Sequence, residues 1–568
     1  MKETFVKRIF KSLFDGFVLW RNNNHTNVMM ALRARTRFAC ACCVIIFSGI
    51  TYKLVNVMII SQFIRNNGNS YTKEDIVRKA DIVDRNGELL ATSLITSSCY
   101  ADPSVIIDID ETAKKLSKLS GMPSYETIQK KLSNKEKHFI WIARHVHPKI
   151  QEQIMDFGLP GIKFQRDYKR VYIHGNLFSH TIGYTDIDGV GMCGLERTYS
   201  DKLQEKKSIN RKLVTTLDIR LQSIIHEELS AAIKKYNAIG GNAMLMTIDG
   251  EILSMVSLPD FDPNDLRNIK IEHMFNRNTL GVFEHGSIFK ILNVAIALDS
   301  GSAQLGSIFD ASSPIKIGRF KITDFKGKNR PLTLAEAFVY SSNIASAKIA
   351  LNFGAMLQKS YMTKFGMLDK PEIELLEKGH SIFPVVWNDM TCISVSYGYG
   401  IAVTPLQTLT AVTSIVNGGI RVHPTLLYSK ATNKNTGERI VSAETSSIIR
   451  ELMRAVVCFG TGKKADVNGE SIIGKTGTAY KARGKGYGAD GKKQRITTFI
   501  GGFPKDNPQY MLLISLDEPK ATQETHGYAT AGWNIAPTAH NVFARIIPIL
   551  SDGNHQEETP LKVTRYLK

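Results

Sequence analysis

Only Cys40 and Cys43 in this 568-residue chain stand three positions apart, as a CxxC pair does, and they lie in an apolar run; no cysteine and histidine fall at zinc-ligand spacing. A structural zinc module is therefore without ligands. Of the seven cysteines, Cys40, Cys42 and Cys43 lie in an apolar run, whereas Cys99, Cys193, Cys392 and Cys458 are isolated. Scattered buried thiols are expected, with one disulfide among the last four left open. The chain shows no repeat at a period of about 20–50 residues and no low-complexity tract, which excludes solenoids and arrays. The formal charge of +19 comes without an aromatic RNA-binding signature, so nucleic acid is a poor fit. A basic surface suits lipid headgroups or an acidic polymer equally well. A hydrophobic content of 43% and a charged content of 22% exclude wholesale disorder, and the length exceeds one compact core.

Long apolar runs are also scarce, with one exception. Residues 38–60, FACACCVIIFSGITYKLVNVMII, carry Lys53 as their only charge. A run of about 20 residues matches the bilayer core. Arg33, Arg35 and Arg37 precede it, in a 37-residue leader holding eight Lys/Arg and two Asp/Glu. By the positive-inside rule the N-terminus stays cytoplasmic and the rest is exported. A cleaved signal peptide is the alternative, but its charged region would be short.

Beyond the run, residues 61–215 read as a mixed, loop-rich segment. Asn86-Gly87 marks a tight turn between apolar stretches. His145, His147, His174 and His180 lack metal spacing and read as structural. From about 216 the pattern changes. Segments 242–248 and 251–257 flank Asp249-Gly250 as a hairpin. Helical periodicity follows at 287–299, 334–353 and 405–416, and strand-like runs at 471–479, 496–503 and 510–516. This order predicts an α/β unit with a mainly antiparallel sheet covered by helices.

Three short motifs fall in that unit. Ser287-Ile288-Phe289-Lys290 opens a helical stretch after Gly286. The same pattern at Ser70–Lys73 and Ser313–Lys316 lacks that setting. A spacing of three puts Ser287 and Lys290 on one helix face, an amine beside a hydroxyl. Burial near another cation would favour the neutral amine, able to take the serine proton. Ser341-Ser342-Asn343 precedes another helical stretch, and Ser208-Ile209-Asn210 also matches its pattern. Here a hydroxyl could pass a proton and an amide hold a carbonyl; an ordinary helix cap is the plain alternative. Lys475-Thr476-Gly477-Thr478 lies in the run SIIGKTGTAY, and Lys-Thr-Gly occurs once. Strand alternation points Lys475 and Gly477 one way, Thr476 and Thr478 the other. Gly477 admits a close backbone, and the strand edge could pair with an extended peptide. Each motif alone is weak evidence; all three in this order indicate the β-lactamase and penicillin-binding chemistry.

With those motifs, FEHGSIFKI at 283–291, SYGYGIAVTPLQ at 396–407, GTG at 460–462 and GKTGTA at 474–479 resemble the class B penicillin-binding proteins, and within them the septal, cell-division D,D-transpeptidases. DRNGELLA at 84–91 and GLERTY at 194–199 resemble their pedestal, and TTLDIRLQ at 215–222 the join. His285 stands where a proline is usual, Lys79-Ala80 where Arg-Gly is usual, and Ser342 rather than Asp is the middle residue of the second motif. The resemblance implies an α/β protein with a cytoplasmic tail (1–37) and a single transmembrane helix (38–60). A mixed α+β, dimerisation-type pedestal (61–215) follows, then a β-lactamase-like transpeptidase domain with a mainly antiparallel sheet flanked by helices (216–556) and a C-terminal tail (557–568).

It also implies site roles. Ser287 attacks the penultimate D-Ala carbonyl of a stem peptide to form an acyl-enzyme. Lys290 is the base, and Ser341 relays a proton with help from Lys475. Asn343 positions the donor peptide. Thr476, Gly477 and Thr478 line the substrate strand, and the N–H groups of Ser287 and Thr478 form the oxyanion hole. Neither metal nor organic cofactor is expected. The implied partners are peptidoglycan stem peptides, β-lactams as covalent inhibitors, the inner (cytoplasmic) membrane, a multi-span glycosyltransferase and other division proteins. The catalytic domain would be periplasmic.

The basic loop 481–495 holds six Lys/Arg and one Asp. It is either a solvated loop or an approach to the anionic glycan. Three rivals remain: a β-lactamase, against which the pedestal and retained anchor argue; a side-wall elongation transpeptidase; and a penicillin-binding membrane scaffold or sensor. The 54-residue step from Ser287 to Ser341 and the block at 396–407 resemble the division type.

Overall fold

The computed structural model describes residues 28–55, 78–204, 212–267, 269–317, 320–429, 437–483, 486–487, 494–551 and 560–567. The chain divides into two units, residues 1–76 and 77–568. The first is represented by helix α1 (Val28–Val55). Its Val44, Ile46, Phe47, Ile50 and Leu54 side chains are exposed. Among the described residues no helix is long and apolar enough to cross a membrane. The span read at 38–60 runs along α1 to Val55, and its last five residues lie outside the described residues, as does most of the tail 1–37.

In the second unit, β1 (Ile82–Val83) turns at Gly87 (φ 94°) into the long β2 (Leu89–Ala101). β2 pairs antiparallel with β3 (Ile140–Val146) and, from Ala91↔Tyr172 to Ala101↔Ile162, with β4 (Ile162–Tyr172). β5 (Leu213–Val214) pairs parallel with β1 and closes this mixed sheet. Cys99, Ala101, Ile142 and Ile154 pack with Leu116, Ile128 and Leu132 of two short helices in a separate core. Lys79 Nζ donates to Glu196 Oε2 at 2.8 Å and Arg170 Nε to Oε1 at 2.6 Å, with Glu196 fully buried. The lysine that departs from the usual Arg-Gly is thus paired inside a buried ion triad.

After α2 (Ile219–Lys235), β6 (Gly240–Thr247) and β7 (Ile252–Leu258) form the expected hairpin, with Gly250 at φ 103°. Next come α3 (Phe289–Asp299), α4 (Leu334–Val339), α5 (Asn343–Phe353), α6 (Pro405–Val416) and α7 (Ala443–Phe459). The strands β8 (Ile473–Tyr480), β9 (Arg495–Phe503) and β10 (Tyr510–Asp517), then α8 (Ile535–Leu550), complete the unit. The five-stranded sheet runs β8-β9-β10-β6-β7, every pair antiparallel.

Alternation along the strands gives this sheet two apolar faces. On one, Ala243, Leu245, Phe499, Leu512 and Ile514 pack with Leu221, Ile225 and Leu229 of α2 and with Val542 and Phe543 of α8. Met244, Met246, Ile500, Met511 and Leu513 face the other way, toward α3 and its neighbours. Apart from Lys290 and Asn293, α3 is apolar and buried from Phe289 to Ala297, so it is a core helix that carries Lys290 inward. α6 starts on a capping box, Thr404 with Gln407, and Pro405 at its first position.

The periodicity over 334–353 reads as one helix, but the structure has two. α4 ends at Val339, Ser341 takes φ 59°, and Ser342 caps α5 by accepting from Ala345 N at 3.0 Å. Near the C-terminus a short 3-10 turn (Lys562–Tyr566) buries Val563, and Tyr566 O accepts from Thr333 Oγ1 at 2.8 Å.

Candidate active site

Gly286 at φ 53° begins the 3-10 turn that holds Ser287, immediately before α3. A Cβ on Gly286 would stand 2.6 Å from Thr478 O, so only glycine lets this turn lie against β8. From the strand side, a Cβ on Gly477 would stand 2.4 Å from His285 O. The loop after residue 396 closes the arrangement: Gly400 N donates to Glu284 Oε1 at 2.7 Å, and a Cβ on Gly398 would meet Gly286 O at 2.0 Å. His285, in the place of the usual proline, is buried, and burial pushes its imidazole down to about 4.

One turn into the helix, Lys290 Nζ donates to Ser341 O at 2.6 Å and Asn343 Oδ1 at 2.7 Å, and lies 3.1 Å from Ser341 Oγ. Lys475 Nζ reaches the same hydroxyl at 3.0 Å and donates to Thr476 O at 3.1 Å. Both lysines are 0% exposed. Burial is the main force holding Lys290 well below the usual ammonium range; nearby Lys475 adds to it and Asp324 opposes it. Burial alone pushes Lys475 down to about 7. Two amines tuned toward neutrality thus converge on one hydroxyl, an arrangement suited to moving protons near neutral pH.

The threonines take the opposite side of β8, as strand alternation predicts. Thr476 Oγ1 lies 2.5 Å from Thr461 Oγ1, and Thr478 Oγ1 accepts from Ala531 N at 3.1 Å. Ser287, Lys290, Ser341, Asn343, Lys475, Thr476, Gly477 and Thr478 therefore belong to one neighbourhood built by α3, the α4–α5 break and β8. The sequence places the Lys290 amine beside Ser287; its hydrogen bonds go instead to Ser341 and Asn343. Of the competing matches, Ser313 and Lys316 lie on a separate short strand connection, and Ser70–Lys73 and Ser208–Asn210 lie outside the described residues. So does most of the basic loop 481–495.

Sequence reasoning missed Thr461, whose GTG setting matched without a role, and Asp324. The Asp324 carboxylate accepts from Ser342 Oγ at 2.6 Å, Asn343 N at 2.6 Å and Ile344 N at 3.0 Å. No spacing rule links it to the second motif, because it comes from a distant loop.

The fold and the lysine–serine site define a two-domain serine acyltransferase of the penicillin-binding kind. Comparison with known proteins agrees: the penicillin binding protein transpeptidase domain matches residues 241–540, and the penicillin-binding protein dimerisation domain matches residues 77–228. The chain is 33% identical to the probable peptidoglycan D,D-transpeptidase FtsI of Caulobacter vibrioides, over 85% of this chain and 83% of that protein. It is 29% identical to the peptidoglycan D,D-transpeptidase FtsI of Escherichia coli K12, over 79% and 81%. A solved structure from Atopobium parvulum, 22% identical, shares the fold with a TM-score of 0.63 over 84% of this chain and 98% of that one. The chain belongs to the penicillin-binding protein transpeptidase family, in the two-domain class B arrangement.

Proposed function

We propose that this protein is a peptidoglycan D,D-transpeptidase that cross-links stem peptides through an acyl-enzyme on Ser287. The observation that carries this reading is the meeting of Lys290 and Lys475 at the Ser341 hydroxyl, beside the turn that presents Ser287. Ser287 Oγ bonds to the penultimate D-Ala carbonyl carbon, and the bond to the terminal D-Ala nitrogen breaks. A neutral Lys290 has two N–H groups, engaged by the Ser341 carbonyl and the Asn343 amide oxygen. One helical turn from Ser287, its lone pair accepts the Ser287 proton. Ser341, steadied by Lys475, takes up that proton from Lys290 as it gives its own to the departing amine, which leaves as D-Ala. An amine of a neighbouring strand then attacks the ester and releases Ser287.

Asn343 positions the donor peptide. Thr476 and Thr478 take the terminal carboxylate region, and Gly477 lets the peptide lie along β8. The N–H groups of Ser287 and Thr478 stabilise the oxyanion; one such donor is worth about 10²–10³ in rate.

Residues 38–60 serve as a single-pass anchor in the inner membrane, supported by the apolar side chains exposed on α1. Residues 1–37 are then cytoplasmic, and the pedestal (61–215), transpeptidase domain (216–556) and tail (557–568) are extracytoplasmic. The cellular setting of this reading is septal wall synthesis beside a multi-span glycosyltransferase; likeness to peptidoglycan D,D-transpeptidases named FtsI supports the reaction. The test is exchange of the terminal D-Ala of a stem peptide for a labelled D-amino acid by the full-length protein. Exchange lost in Ser287→Ala supports the reading; undiminished exchange refutes it. A tagged protein along the side wall instead of at midcell would refute the septal assignment.

A further inference from the structure

We infer that Asp324 is a positioning residue for this reaction: it fixes the first turn of α5 so that Asn343 and the Ser341 carbonyl meet Lys290. The inference rests on the transpeptidase reading above. The first turn of a helix leaves backbone N–H groups without partners inside the helix. Asp324 Oδ1 accepts two of them, from Asn343 and Ile344, while Oδ2 accepts from Ser342 Oγ. Ser342 thereby gives its proton to Asp324 and keeps a lone pair for Ala345 N. The second motif has serine where its β-lactamase counterpart has aspartate, and here a carboxylate from another loop bonds to that serine.

The neighbouring residue completes the clamp. Thr323 O accepts from Asn343 Nδ2 at 3.0 Å, which fixes the amide so that its oxygen faces Lys290 Nζ. The left-handed Ser341 is held between this clamp and the end of α4, so its carbonyl also points at Lys290. A negative charge at a helix N-terminus is further favoured by the aligned peptide dipoles.

Charge and geometry make separable predictions. The charged groups facing Lys290 are Lys475 from β8, which favours the neutral amine, and Asp324, which favours the ammonium. Removing the Asp324 charge while keeping an acceptor for the Asn343 and Ile344 N–H groups makes Lys290 easier to deprotonate, so the base stays active at lower pH.

The test is the acylation of full-length protein by benzylpenicillin, with the acylation step and the initial binding constant measured separately between about pH 5 and about pH 10. Asp324→Asn keeps an acceptor for both N–H groups; its acid limb is expected to move to lower pH by about one unit. Asp324→Ala loses the clamp and is expected to slow the acylation step by about 10²-fold with initial binding little changed. An unshifted limb in Asp324→Asn overturns the inference, because a merely structural residue would lower the melting temperature and leave the limb in place. An Asp324→Ala acylation step within about threefold of wild type also overturns it. If Asp324→Ala does not fold, the Asp324→Asn limb decides alone. An adduct that persists in Ser287→Ala would instead refute the transpeptidase reading itself.

Discussion

Lys475 Nζ lies 3.0 Å from Ser341 Oγ, although the two residues are 134 positions apart in the chain. This contact ties β8 to the break between α4 and α5, and the burial of the Lys475 amine there shapes the pH behaviour of the fold. Burial brings Lys475 down to about 7, whereas in an unfolded chain it titrates at about 10.4. Below pH 7 both states are protonated, and the folded state carries the full cost of a buried ammonium. Between these values the unfolded chain binds more protons, so stability rises with pH by at most about 1.4 kcal/mol per unit. Melting curves of wild type and Lys475→Met should therefore show wild type gaining on the variant from about pH 7 to about pH 10. A constant difference would mean that Lys475 is not perturbed.

Lys290 poses the opposite demands of stability and chemistry. Lys290→Met removes a buried amine from an apolar helix and should fold at least as stably as wild type, while acylation by penicillin falls by at least about 10²-fold. Thermal melting together with acylation rates checks both halves. A variant that acylates normally would exclude Lys290 as the base.

How much of this could be read in the sequence depended on how local the signal was. Lys475-Thr476-Gly477 lies in a strand whose alternation fixes its faces, and the structure places the side chains accordingly. Ser287 and Lys290 were marked by the apolar helix that follows them. The break at Ser341 was not legible, because apolar residues on both sides continue a helical period and nothing local announces a left-handed serine. Asp324 was hidden for a different reason: its contacts with Ser342 and Asn343 are tertiary. The paired role of Lys79 likewise needed Glu196, which is 117 positions away.

That buried triad gives a stability prediction. Glu196→Ala leaves Lys79 and Arg170 without their shared carboxylate and should cost about 3–5 kcal/mol. Glu111→Ala breaks an exposed pair with Lys115, where water already screens both charges, and should leave stability almost unchanged. Denaturant unfolding of the two variants measures the contrast; equal losses would contradict it.

Two glycines separate backbone strain from close approach. Gly477→Ala sets a Cβ against His285 O and should displace β8 enough to lower acylation by about 10²-fold. Gly301, at φ 70° with nothing within 4 Å of a Cβ, should tolerate alanine with about 1 kcal/mol of strain and unchanged acylation. Acylation rates of the two variants test the packing of strand against turn.

The central claim is that Ser287 is the nucleophile. The most direct test is peptide mapping by mass spectrometry of full-length protein treated with benzylpenicillin. A covalent adduct on Ser287, absent after Ser287→Ala in a protein that still melts cooperatively, is the predicted result. An adduct on another residue, or none on a folded wild-type protein, would contradict it.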